Sequence, residues 1–167
     1  MCAIPSADRP AQAVPADAAA QVLRRFRIVF NAVKTHFQQV EKRAGLGGAQ
    51  VWALSLVRDR PGLGVGELAR AMDVHQTTAS NLVKSLVQAG LVQAGRLASD
   101  RRAVQLHISD AGQRLLGQAP GPFSGVLPDA LSRLDAQTLA RLDADLGRLI
   151  AVLQADEGAG RKPLAQM

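Results

Sequence analysis

Gln76, Thr77, Thr78, Ser80, Asn81 and Lys84 carry the densest hydrogen-bonding chemistry in this sequence. They are neutral donors and acceptors plus one cation, crowded where a helix would begin. That mixture suits base edges and phosphates met by a helix N-terminal end in a major groove. Further on, Gly95 to Arg102 holds Arg96, Arg101 and Arg102 around Asp100, with no aromatic. A guanidinium fits phosphate through its planar fork, and a narrow minor groove attracts it by negative potential.

Other chemistries find little support. His36, His75 and His107 sit in no metal-ligand spacing, and no nucleophile sits in a recognisable elbow. Gly45-Leu46-Gly47-Gly48 lacks the lysine and the preceding strand of a phosphate loop. No catalytic residue, no metal and no cofactor is expected, and the chain does not read as an enzyme. One cysteine, Cys2, excludes an intramolecular disulfide. A net charge of +6, mostly from arginine, favours a polyanionic partner. At 167 residues the chain is one domain with a core of its own. No apolar run approaches the ~20 residues of a membrane span. Met1-Cys2-Ala3-Ile4-Pro5 is not a secretory signal, so the expectation is a soluble, cytoplasmic protein without membrane contact.

The elements that position these side chains follow from periodicity. Leu68, Ala69 and Met72 form the stripe of one short helix; Asp73 breaks it and Val74 plugs the corner. Ala79, Leu82, Val83 and Leu86 form the stripe of the next, which ends at Gly90. Leu91-Val92-Gln93 enters a hairpin, and Val104, Leu106 and Ile108 alternate with Gln105 and His107 on its return. A basic hairpin directly after a helix-turn-helix is a wing.

This stretch resembles the winged helix-turn-helix of the MarR family of bacterial transcriptional regulators. The matching residues are Glu67-Leu68-Ala69, Thr78-Ala79-Ser80-Asn81-Leu82-Val83 and Gly90-Leu91-Val92. Asp100-Arg101-Arg102-Ala103-Val104 and Leu106-His107-Ile108-Ser109-Asp110-Ala111-Gly112 follow, and these two blocks are the specific ones. The resemblance runs from about Ala18 to Leu153. It implies a mostly α fold: a winged helix-turn-helix with a two-stranded wing plus N- and C-terminal dimerisation helices. It implies a homodimer on double-stranded DNA, repressing by blocking a promoter and released by a small ligand. Gln76, Thr77, Thr78, Ser80, Asn81 and Lys84 would meet DNA, Arg102 would enter the minor groove braced by Asp100, and Arg96 and Arg101 would touch phosphate. A small aromatic or phenolic ligand, in the family often an acid, would lie near His36, Phe37 and Trp52, with Phe26 close by. Each of those residues is also an ordinary core residue. A winged-helix module that binds protein without specific DNA binding fits the same pattern.

The rest of the chain divides accordingly. Residues 1–15 read as a flexible tail, 16–45 and 123–156 as dimerisation helices, 46–122 as the DNA-binding region and 157–167 as a frayed tail. The first helix runs to about Arg43 with a broad stripe of Val22, Phe26, Val29, Val33, Phe37 and Val40. A second runs from about Ala49 to Arg58, its start loosened by glycine where the family commonly has Ser or Thr. Leu63-Gly64-Val65 is expected as a short strand. His75 takes a cap position where the family prefers Ser, Asp or Thr. Ser109 caps a helix to about Gly117; Pro120-Gly121-Pro122 breaks it, where many family members run a long helix. A short helix over Phe123–Arg133 follows. Asp135 caps the last helix, whose Leu139, Leu142, Leu146, Leu149 and Leu153 alternate steps of three and four, a seam for another helix. Cys2, in a tail and with no tyrosine in the chain, lacks the setting of a redox switch.

Overall fold

The computed structural model describes residues 16–96 and 104–161. Among the described residues there are seven α-helices: α1 Ala16–Ala44, α2 Gly48–Asp59, α3 Val65–Ala71, α4 Gln76–Gln88, α5 Asp110–Gln118, α6 Val126–Ser132 and α7 Ala136–Leu153. Between α4 and α5, β1 (Val92–Arg96) and β2 (Val104–Ile108) pair antiparallel. The fold is the expected mostly α winged helix-turn-helix. Cys2 and the segments 1–15, 97–103 and 162–167 lie outside the described residues.

α2 is the spine of the core. It packs against α1, α3, α4, α5 and β2. Val51, Ala53, Leu54 and Val57 are fully buried on it. Its glycine start is better anchored than expected, because Gln50 Oε1 accepts a hydrogen bond from Gly47 N at 3.0 Å. The same amide donates through Nε2 to Ser85 Oγ on α4. One side chain thus caps α2 and ties it to α4.

The corner between α3 and α4 forms as the residue pattern requires. Glu67 Oε2 accepts from Gly64 N at 2.8 Å and fixes the start of α3. Asp73 adopts φ +50°, a conformation that short polar side chains tolerate. Val74 N then bonds Ala69 O at 3.0 Å, and the Val74 side chain packs against the core. Ala79, Leu82, Val83 and Leu86 are all buried, and Gly90 turns the chain out of α4 at φ +71°.

The sheet registers Val92 on Ile108, Ala94 on Leu106 and Arg96 on Val104. Leu63 contributes a single bridge to Leu106 where a strand through Val65 was expected. Gly64 has become the cap of α3 and Val65 its first residue, so the backbone turns helical at once. Ser109 Oγ accepts from Gly112 N at 3.1 Å and donates to Gly90 O at 2.7 Å, locking the start of α5 to the end of α4.

After α5 the chain breaks as the prolines demand, but α6 begins three residues later than expected. Gly125 sits at φ +103° directly before it, and Phe123 lies outside it with its ring under the Arg58 guanidinium, 5.3 Å away. α6 packs on α1. Asp135 caps α7 through Thr138 N at 2.9 Å and Thr138 Oγ1 at 2.7 Å. Past α7 the expected frayed tail includes an ordered 3-10 turn, Glu157–Arg161.

α7 buries no residue, and Leu139, Leu142, Leu146, Leu149 and Leu153 are all exposed. Val22, Leu23, Ile28 and Phe30 of α1 are exposed likewise. Among the described residues, the two terminal helices therefore leave wide apolar faces uncovered.

Candidate nucleic-acid interface

α4 projects its polar face outward because its opposite stripe is held in the core. Gln76, Thr77, Ser80, Asn81 and Lys84 are exposed and Thr78 is half-buried, so the expected set shares one outward surface. Ser80 Oγ donates to Gln76 O at 2.8 Å, which turns that hydroxyl back onto its own helix. Gln76, Thr77, Asn81 and Lys84 keep the reach to meet an incoming partner. His75 takes the N-cap position and its imidazole makes no capping bond, leaving the ring exposed beside the first turn.

Thr78 and Asn81 line a cleft with Ser85, with Gly47 at the cap of α2 and with Gln50 of α2. Gln50 and Ser85 were not foreseen from the residues. They lie 35 positions apart, and no local pattern in the sequence links them.

Arg96 pairs with Val104 at the last described rung of the sheet. Asp100, Arg101 and Arg102 lie outside the described residues. Among the described residues no group of three or more His, Cys, Asp or Glu is placed to hold a metal.

The three residues expected near a small ligand separate. Phe37 and Trp52 line a cavity of about 80 Å³ between α1, α2 and the segment from Ser124 to Pro128. His36 is absent from that lining. It is buried, 7% exposed, and its Nε2 donates to Pro122 O at 3.1 Å. Its work is to pin the broken segment after α5 onto α1. Phe26 lies elsewhere, against Phe30 at 6.2 Å and near Leu149 and Leu153 of α7.

Residues 44–103 match the MarR family model, and they run from the end of α1 through the helix-turn-helix into the wing. Over that stretch the chain is similar to the MarR family. The chain is 32% identical over 102 residues to a Thauera aromatica protein named provisionally as the transcriptional regulatory protein for the hcr operon. That match takes in 60% of this chain and 57% of the relative, so the chain spans little more than half the relative's length. Solved structures share the architecture at low identity. A MepR-like protein crystallised with pseudoligands has 17% identity and a TM-score of 0.56, covering 80% of this chain and 94% of its own. YusO of Bacillus subtilis has 21% identity and a TM-score of 0.52, over 86% of this chain and all of its own. The S. aureus MepR–DNA complex has 20% identity and a TM-score of 0.54, over 81% and 97%. At these identities the likeness establishes the fold. As the prolines required, α5 ends before Pro120-Gly121-Pro122 and a separate short α6 follows.

Proposed function

We propose that this chain acts as a homodimeric, sequence-specific DNA-binding transcriptional regulator of the MarR family, a repressor released by a small ligand. The observation that carries the reading is the exposed polar face of α4, held outward at the corner of a MarR helix-turn-helix. The likeness to the S. aureus MepR–DNA complex supports it, because that protein of the same fold is seen with DNA. Gln76, Thr77, Thr78, Ser80, Asn81 and Lys84 meet the major groove. Arg96, Arg101 and Arg102 serve the backbone and the minor groove from the wing, with Asp100 bracing Arg102. The chromosome as partner puts the protein in the cytoplasm. Among the described residues no helix is long and apolar enough to cross a membrane.

Residues 16–45 and 123–156 supply the dimer interface. A helix such as α7, with an apolar seam and no buried residue, needs a neighbour to cover it. A second copy offers the same seam across a two-fold axis. Two copies of α4 then fall about one DNA turn apart, ~34 Å, over a pseudo-palindromic site.

Binding to DNA from the chain's own upstream region, titrated across a salt series beside random DNA, tests the reading. The expected result is a preference of ~10³ or more and a steep fall with salt. Equal, weak binding to both DNAs, with Arg102→Ala matching wild type, would instead favour a protein-binding winged helix.

A further inference from the structure

After α7 the chain returns to the helix-turn-helix. Gln154 closes α7 at φ +51°, and the 3-10 turn Glu157–Arg161 follows. Asp156 holds that turn: its Oδ1 accepts from Gly158 N at 2.9 Å and its carbonyl oxygen from Ala159 N at 3.1 Å. The turn ends with Arg161 in a cleft at the corner between α3 and α4. Arg70 at the end of α3, Asp73 in the corner, and His75 and Gln76 at the start of α4 line the same cleft. All five residues are exposed.

The charges in this cleft are unequal. Arg70 and Asp73 balance one another, so Arg161 gives the cleft its positive sign. Among the described residues neither arginine forms an ion pair, although Asp73 shares the cleft with both. Each guanidinium fork therefore keeps its donors for an incoming anion. Gly66 also lines the cleft and puts no side chain beside Arg70 Nη1, so that guanidinium is open to it.

We infer that Arg161 contacts a DNA phosphate, which makes the C-terminal turn a DNA-binding element beyond α4 and the wing. The inference rests on the DNA-binding reading above. Gln76 belongs both to this cleft and to the face proposed for the major groove. A duplex seated on that face brings its backbone past the start of α4. A phosphate there meets two guanidinium forks, whose paired donors match its oxygens. A carboxylate suits the same forks, but the shared Gln76 decides for nucleic acid. Because the contact is to backbone, it adds affinity and no sequence preference.

Anisotropy titrations of the full chain on DNA from its own upstream region and on random DNA, across a salt series, test this. Arg161→Ala is expected to weaken both complexes alike, at least about threefold, and to lower the salt slope by about 1 per chain. Arg161→Lys keeps the charge and should retain the slope. Asp73→Asn removes the opposing charge while Asn tolerates the φ of +50°, so it should tighten both complexes about twofold or more. Arg161→Ala matching wild type in affinity and slope overturns the inference and leaves the regulator reading standing. If wild type does not prefer its own upstream DNA but Arg161→Ala still weakens both complexes, the phosphate contact stands and the specific-regulator reading fails. Wild type binding neither DNA sinks both. Polyglutamate is titrated alongside as an acidic polypeptide. A greater loss on it than on DNA in Arg161→Ala overturns the assignment to nucleic acid.

Discussion

Gln50 and Ser85, 35 residues apart, are joined by a side-chain hydrogen bond that ties the first turn of α2 to the inner flank of α4. Because Gln50 also accepts from Gly47 N, a single amide closes the end of one helix and sets the position of another. Gln50→Ala is expected to lose both bonds and about 1–2 kcal/mol of stability. Ser85→Ala should cost less, since it leaves the Gly47 bond intact. Denaturant unfolding of the two single variants and the double variant tests this, and additive losses would show that the two side chains are uncoupled.

Gly112 permits the close approach of α5 to the sheet. A Cβ there would collide with the Leu91 carbonyl oxygen and come within 2.8 Å of Ile108 Cγ1. Helix propensity alone makes Ala better than Gly by about 1 kcal/mol. The collision opposes it, and the Leu91 oxygen is backbone that accepts the hydrogen bond from Ser109 N. Gly112→Ala is therefore expected to destabilise by about 1–3 kcal/mol. A raised melting temperature in that variant would refute the packing argument.

These two relationships mark what the residues alone disclose. The α4 stripe of Ala79, Leu82, Val83 and Leu86 was legible because helical burial repeats every three or four positions. The caps at Ser109 and Asp135 were legible because a cap bonds within three residues of itself. Gln50–Ser85 and His36–Pro122, 86 positions apart, depend on how whole helices dock, and no local period encodes them. The start of α6 was misplaced for the same reason. Phe123 is held by Arg58 of α2, a distant partner that outweighs its local helical spacing. Of the candidate site, the polar face of α4 was readable from its residues, whereas the separation of His36 from Phe37 and Trp52 was not.

Within the DNA-binding reading, Asn81 and Lys84 should behave differently although they share one face. Lys84 is a flexible point charge suited to phosphate. Lys84→Ala is expected to weaken specific and random DNA alike and to reduce the salt slope by about 1. Asn81 offers a bidentate amide suited to a base edge, so Asn81→Ala should cost about 1–3 kcal/mol on the specific site and little on random DNA. Fluorescence anisotropy over a salt series separates the two, and identical profiles would remove the distinction.

The seam of α7 makes a prediction about assembly. Leu146 is 41% exposed in one chain and lies midway along the leucine row. Leu146→Asp would place a charge in the proposed dimer interface, and nothing in the protomer core depends on it. Sedimentation should show a monomer, with secondary structure outside α7 retained and specific DNA affinity reduced at least about tenfold. A dimer of unchanged stability would move the interface elsewhere.

Asp135 gives α7 a pH dependence of known sign. The Thr138 hydroxyl and then the Thr138 amide bond its carboxylate and hold its pKa below the ordinary 3.8. A group whose pKa is depressed by folding stabilises the fold above its unfolded value and loses that contribution as pH falls through the folded value. Wild type should therefore melt above Asp135→Asn at neutral pH, because the charged cap also faces the positive end of the helix dipole. The gap should narrow once pH falls below about 3.8, where the unfolded carboxyl begins to hold its proton, and close below the folded value. Thermal melts of both proteins from neutral pH down through the region below 3.8 measure it. A gap that stays constant across the range would mean that the bonds to Thr138 do not distinguish the charged cap from the neutral one.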